Sequence, residues 1–190
     1  PQRSHFSCGS RSAAQTPRDV LMIPEPSISF HESSRVRSDV AMLRDLPARL
    51  CRILDGVDAD GLVRTYRQGG WTVARIVHHL VDSHMHSYMR CKFALCERNP
   101  SIRPYDENAW VATPECSVDE ARSASSLLAH LHARWVRMLA GLDDSQWNRA
   151  FHHPERGCDF RLFQQAGIYA WHGEHHLAQI ALALGKEMPE

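Results

Sequence analysis

The segment YAWHGEHHLAQI, residues 169–180, places His172, His175 and His176 within five positions. Imidazole is a metal ligand and also the side chain that titrates nearest neutrality, so such a cluster can hold a divalent ion or move protons. Residues four apart stack on one helix face, and two imidazoles so placed reach one ion at Zn–N distances of about 2.0–2.1 Å. His172 and His176 meet that condition, and spacing does not exclude His175, three residues after His172. One such pair is common on solvated helix faces. A second cluster, VHHLVDSHMH at 77–86, shifts the balance, because His79 or His84 would supply a third ligand. Three imidazoles leave a coordination position open, the usual make-up of catalytic rather than structural zinc, and neutral imidazole suits zinc, nickel, copper and iron alike.

The elements that carry these side chains read as helices. Over Leu162–Leu184 an apolar arc centres on Ala166, Tyr169, Gly173, Leu177 and Ile180, His172 and His176 lie at one edge, and Gly185 stops the helix. From Thr72, a suitable N-cap, Val73, Ile76, Val77 and Leu80 define a second arc with His79 at its edge, His84 nearer its centre and His78 turned away toward solvent or a supporting role. Asn99-Pro100 ends that helix after about 26 residues, or ~39 Å. An earlier helix is expected over Ser34–Leu54, kinked at Pro47 and ended at Gly56. A further one opens with Ser117-Val118-Asp119-Glu120, the pattern of a capping box, and carries the stripe Leu127, Leu128, Leu131, Trp135, Met138, Leu139 and Leu142. Asp143–Trp147 fits one more turn, and RAFHHPERGCDF is the one strand or hairpin candidate, turning at Gly157. The expected fold is all-α: a four-helix bundle with a small hairpin or irregular cap.

Composition narrows the function. The formal net charge is zero and no basic arm or aromatic-plus-basic groove is visible, so nucleic acid is not an expected partner. No window approaches 18 consecutive apolar residues, so no membrane span is expected. The six cysteines form no CxxC pair, which points to reduced thiols, mostly buried filler, in a cytoplasmic protein. Residues 1–30 are expected to be a disordered leader or a mis-assigned start, with Met22 nearer the true beginning, and the domain to cover 31–190. The Arg- and Ser-rich stretch 1–21 is also compatible with an organelle transit peptide.

In order and spacing, GGWTVARIVHHLVDSHMHSYMR, RPYDENAW, LHARWVRML, FHHPERG and YAWHGEHHLAQI resemble the YfiT-like branch of the DinB superfamily, over about residues 34–184. The resemblance implies a homodimeric four-helix bundle with one divalent metal, zinc or nickel, held by His79, His172 and His176. It therefore selects His79 over His84, and gives His175 no metal role. It also implies a metal-dependent transferase that joins a low-molecular-weight thiol, bacillithiol-like, to electrophiles, or else a metal-dependent hydrolase. A bound divalent ion lowers the pKa of a thiol or of water, so the ligand set serves either reaction. A non-catalytic, stress-related metal-binding module is the alternative from outside enzymology.

Around this centre, His79, Asp82, Ser83, His86 and Arg90 share one side of their helix. Asp82 and His86 are the catalytic candidates, Asp82 to orient an imidazole or accept a proton and His86 as an additional ligand or base. Arg90, ~16 Å further along, is the candidate to hold a carboxylate of the thiol cosubstrate. Tyr105, Asp106 and Glu107 are expected to form a structural turn rather than a pocket rim. Two positions depart from the family pattern: His86, where Asn is usual, and Ala178-Gln179-Ile180, where the usual sequence is AHI.

Overall fold

Residues 32–189 are described by the computed structural model. The expected leader and the candidate transit peptide lie outside them. After a 3₁₀ turn at Ser33–Arg35 the chain forms α1 (Val36–Leu54), α2 (Ala59–Leu62), α3 (Val73–Cys96), α4 (Glu107–Trp110), α5 (Ala121–Ala140) and α6 (Asp144–Trp147). An antiparallel hairpin, β1 (Ala150–His153) with β2 (Cys158–Arg161), leads directly into α7 (Leu162–Leu184).

The four long helices make the bundle. α1 packs on α5 and α7, and α3 packs on the same two, so α1 and α3 face each other across a diagonal. Helices adjacent in an up-down bundle would be neighbours in sequence order. Here the first two long helices are not, and the consequence is that α3 and α7, the helices with the histidine clusters, lie side by side.

Helix ends follow local chemistry. Thr72 Oγ1 accepts from the Arg75 N–H at 3.2 Å and opens α3, and Gly185, at φ 63°, lets α7 end in a left-handed turn. The expected capping box at Ser117–Glu120 does not form: α5 begins at Ala121 with no side-chain cap. The Ser117 carbonyl faces His78 Nε2 at 2.9 Å instead, so His78 is buried, at 6 % exposure, rather than solvated. The buried face of α5 is Ala121, Ala124, Leu128, His132, Trp135 and Leu139, and Leu127 points outward.

Two apolar clusters fill the interior. One holds Leu50, Ile76, Leu80, Leu128, Leu177 and Ile180, the other Leu43, Trp135, Leu139, Phe151 and Leu162. Each fully buried Leu or Ile contributes roughly 1.5–3 kcal/mol. Between the clusters lies a polar level that includes His84, His132 and His172, the pair Ser83–Tyr169 at 3.2 Å and the pair Gln165–Ser87 at 2.8 Å. Gly173 lets α7 approach α1 there, since a Cβ at that position would lie 2.7 Å from Leu46 Cδ2. No described helix is long and apolar enough to cross a membrane.

Candidate metal centre

Three imidazoles converge where α3 and α7 meet. His172 Nε2 lies 3.1 Å from His79 Nε2 and 3.1 Å from His176 Nε2. These three residues form the group whose ligand atoms all fall within 4.8 Å of one another. Nitrogens bound tetrahedrally at about 2.0–2.1 Å stand about 3.3 Å apart, so the spacing matches a shared ion.

Hydrogen bonds to the far side of two rings decide which nitrogen faces inward. His176 Nδ1 lies 2.8 Å from Gln179 Oε1, and the Gln179 amide Nε2 lies 3.0 Å from His175 Nε2. The carbonyl oxygen only accepts, so His176 carries its proton on Nδ1 and turns the Nε2 lone pair to the centre. His172 Nδ1 meets His84 Nε2 at 3.1 Å, leaving His172 Nε2 inward as well. Two lone pairs facing each other at 3.1 Å repel, and a cation between them converts that repulsion into coordination. The donor set therefore fits a divalent metal. His79 differs: its Nδ1 has no protein partner, and the ring is held by Trp71, whose centroid is 4.7 Å away.

All three rings are kept neutral, the state that binds metal. Burial lowers His79 from 6.5 to about 4, with His175 adding to the effect. His172 and His176 are pushed well below the ordinary value, chiefly by burial and then by neighbouring imidazoles.

A cavity of about 380 Å³ opens from these three imidazoles. Its wall continues through Trp71, Tyr169 and Gln165 to Arg90, His153 and Arg156. Burial, then Arg90 and Arg156, hold His153 below its ordinary value against the opposite pull of Glu155, and Glu107 and Glu155 share the wall with the two arginines. Arg90 Nε is buried without a hydrogen-bond partner.

His84 is fully buried behind His172, on the side away from His79 and His176. His175 contacts Gln179 and Trp171 and lines the cavity outside the three-imidazole group. Asp82 lies outside the cavity wall, half-buried, its pKa raised by burial against the lowering effect of His78. His86 also lies outside the wall, stacked on Tyr105 at 4.1 Å, and Tyr105 itself faces the cavity. Tyr105 and Glu107 therefore do rim the pocket, while Asp106 makes the structural turn by capping α4 through the Ala109 N–H at 3.1 Å. Of the five described cysteines, all free, Cys91 alone is buried, its thiol pushed up to about 12 by burial and useless as a nucleophile near neutrality.

Sequence reasoning passed over Trp71, His132 and Gln165. His132 had left a signal, since it falls four residues after Leu128 and three before Trp135, on the core stripe of α5.

The profile of the DinB superfamily matches residues 42–180. The chain belongs to the DinB superfamily. It is 40 % identical over 157 residues to YfiT of Bacillus subtilis (strain 168), described as a candidate metal-dependent hydrolase, covering 83 % of this chain and 86 % of YfiT. A Bacillus mycoides (strain KBAB4) relative of the same description is 44 % identical over 138 residues, or 73 % of this chain and 79 % of the relative. The solved structure of Bacillus subtilis YfiT, described as a four-helix bundle of unusual topology, superposes with a TM-score of 0.75 at 37 % identity, covering 86 % of this chain and 90 % of that one. A mycothiol-dependent maleylpyruvate isomerase shares the fold, with a TM-score of 0.62 at 14 % identity over 86 % of this chain and 67 % of that one.

Proposed function

We propose that this DinB-superfamily chain is a metal-dependent transferase that activates a low-molecular-weight, anionic thiol for attack on an electrophile, working as a cytoplasmic homodimer. One observation carries the reading: a single cavity wall combines three convergent imidazoles with Arg90, whose Nε is buried without a hydrogen-bond partner. His79 and Arg90 lie on the same helix ~16 Å apart, which suits an extended cosubstrate with sulfur at one end and a carboxylate at the other. A divalent ion, zinc or nickel, held by His79, His172 and His176 supplies the positive charge that keeps the thiol ionised.

The chain's own groups do the rest. His172 and His176 hold their protons on Nδ1, through His84 and Gln179, and so keep both Nε2 atoms as donors. Trp71 packs against His79 and lines the cavity together with Tyr105 and Tyr169. Arg90 orients the anionic end. His86 acts on the cavity through Tyr105, and Asp82 stands near His78, outside the cavity wall. Met85, Met89 and Phe93, exposed at four-residue intervals on α3, offer an apolar face for a second copy.

Hydrolysis is the second reading, favoured by the description that the Bacillus relatives carry. Metal-loaded protein incubated with a reactive electrophile and a panel of anionic and neutral thiols separates the two. Thiol-dependent conjugation is expected, faster with anionic thiols. Thiol-independent hydrolysis at the same rate would overturn the transferase reading.

A further inference from the structure

Pro47 sits inside α1 and has no N–H, so the carbonyl of Leu43, four residues earlier, loses its helical donor. Leu43 is fully buried, and water does not reach to replace that donor. His132 of α5 fills the gap: its Nδ1 lies 2.6 Å from the Leu43 oxygen. His132 Nε2 lies 2.8 Å from His84 Nδ1, and His84 Nε2 lies 3.1 Å from His172 Nδ1. Three imidazoles from three helices thus run in series from a backbone carbonyl to a metal ligand.

The proton positions in this series follow from its fixed end. A carbonyl oxygen accepts and cannot donate, so His132 must carry its proton on Nδ1 and accept at Nε2. His84 then donates from Nδ1 and accepts at Nε2. His172 in turn donates from Nδ1, and its remaining lone pair, on Nε2, faces His79 and His176. Reversing the chain would set a lone pair of His132 against the Leu43 oxygen at 2.6 Å. His84 and His132 are fully buried, where a second ring proton would be an uncompensated charge, so each carries one. Each donor polarises the next in the same sense, which raises the basicity of His172 Nε2.

We infer that His132 and His84 are positioning residues of the metal centre: the carbonyl that Pro47 leaves without a helical donor fixes, through these two buried imidazoles, which nitrogen of His172 is presented to the ion. The inference rests on the assignment of His79, His172 and His176 as a metal site and is independent of the reaction catalysed there. It also gives α1 and α5, which supply no ligand, a direct hold on the centre.

Long-range ¹H–¹⁵N spectra of imidazole-labelled, metal-free protein at neutral pH read the tautomers directly. His84, His132 and His172 are each expected in the Nδ1–H form, and a proton on Nε2 of His84 or His132 in the wild-type protein overturns the relay without recourse to any variant. In His132→Phe, His172 is expected to lose its uniform Nδ1–H pattern, and affinity for Zn²⁺, measured by competition with a chromophoric chelator, to fall about 10- to 100-fold. His132→Gln keeps a donor for Leu43 and an acceptor for His84, so it is expected to retain most of both. An unchanged His172 pattern and affinity in folded His132→Phe overturns the positioning role. Wild-type protein that shows the three Nδ1–H rings but binds no Zn²⁺ overturns the metal assignment on which the inference rests, a failure distinct from that of the relay.

Discussion

The metal-free protein is expected to lose stability steeply as pH falls from about 6.5 toward 4. Unfolded imidazoles titrate near 6.5, whereas burial lowers both His79 and His132 in the folded chain to about 4. Between those values the unfolded chain binds a proton at each site and the folded chain does not. Stability is therefore fully present above about 6.5, declines as pH falls through the window, and stops declining on account of these two groups below about 4. Each contributes roughly 3 kcal/mol to the loss, at about 1.4 kcal/mol per pH unit of displacement. The pair removes roughly 6 kcal/mol, comparable with the whole stability of a domain, about 5–15 kcal/mol. His84, His172 and His176 are pushed the same way, also chiefly by burial, and steepen the decline. Asp39 and Asp82, whose pKa values burial raises, act in the opposite sense at the acid end of the window.

Guanidinium unfolding in the presence of a chelator, repeated at half-unit steps from pH 7.5 to 4.5, measures this slope. Near pH 5 unfolding should take up at least two protons, a slope of about 2.7 kcal/mol per pH unit. Uptake of less than one proton would refute the claim that the histidine cluster is buried and neutral in the folded state. Saturating metal binds only the folded chain and should displace the whole profile upward by RT ln(1 + [M]/Kd).

Three further perturbations address the site itself. His176→Ala should abolish stoichiometric metal content in elemental analysis while leaving the helical circular dichroism intact, and unchanged metal would remove His176 from the ligand set. Gly173→Ala gains about 1 kcal/mol of helix propensity, but its Cβ would lie 2.7 Å from the buried Leu46 Cδ2. Overpacking of about 1–3 kcal/mol should outweigh that gain, giving a lower unfolding midpoint and weaker metal binding. Arg90→Met should raise KM for an anionic thiol roughly ten-fold or more, the loss of one charge-assisted hydrogen bond of about 1.5–3 kcal/mol, with little change for a neutral thiol or in metal content. Equal effects on both thiols would show that Arg90 does not hold the anionic end.

Much of the bundle was legible because its helices are long and their apolar residues recur at helical spacing. Thr72, Gly157 and Gly185 each announced an end or a turn, and each occupies that position, whereas α1 runs on through Pro47 from Val36 to Leu54. The capping pattern at Ser117–Glu120 misled: α5 begins at Ala121 without a side-chain cap, and the Ser117 carbonyl meets His78, a tertiary partner that no local pattern contains. The four-residue helices α2 and α4 carry too few residues to show a period, and α4 is fixed by a single Asp106 cap. Asp82 and His86 were drawn from the shared side of one helix. A helix side, however, spans more than the cavity does, and α3 turns only His79, Ser83 and Arg90 of that stripe into the wall.

The choice between His79 and His84 shows where periodicity runs out. Both point into the bundle and both lie within 3.1 Å of the same residue, His172, so an inward-facing arc on α3 cannot separate them. What separates them is depth along the helix. Five residues place His84 ~7.5 Å further along α3 than His79, and an imidazole has nitrogens on two sides of its ring. His79 therefore meets His172 at Nε2, the nitrogen that also faces His176, and completes the three-imidazole group. His84 meets His172 at Nδ1 and can only receive its proton. The distinction depends on a residue of a third helix, His132, and on a proline in a fourth, because those two fix the direction of the proton chain. A ligand and its support thus differ by which nitrogen of a common neighbour they touch, a property of the assembled bundle rather than of either helix alone.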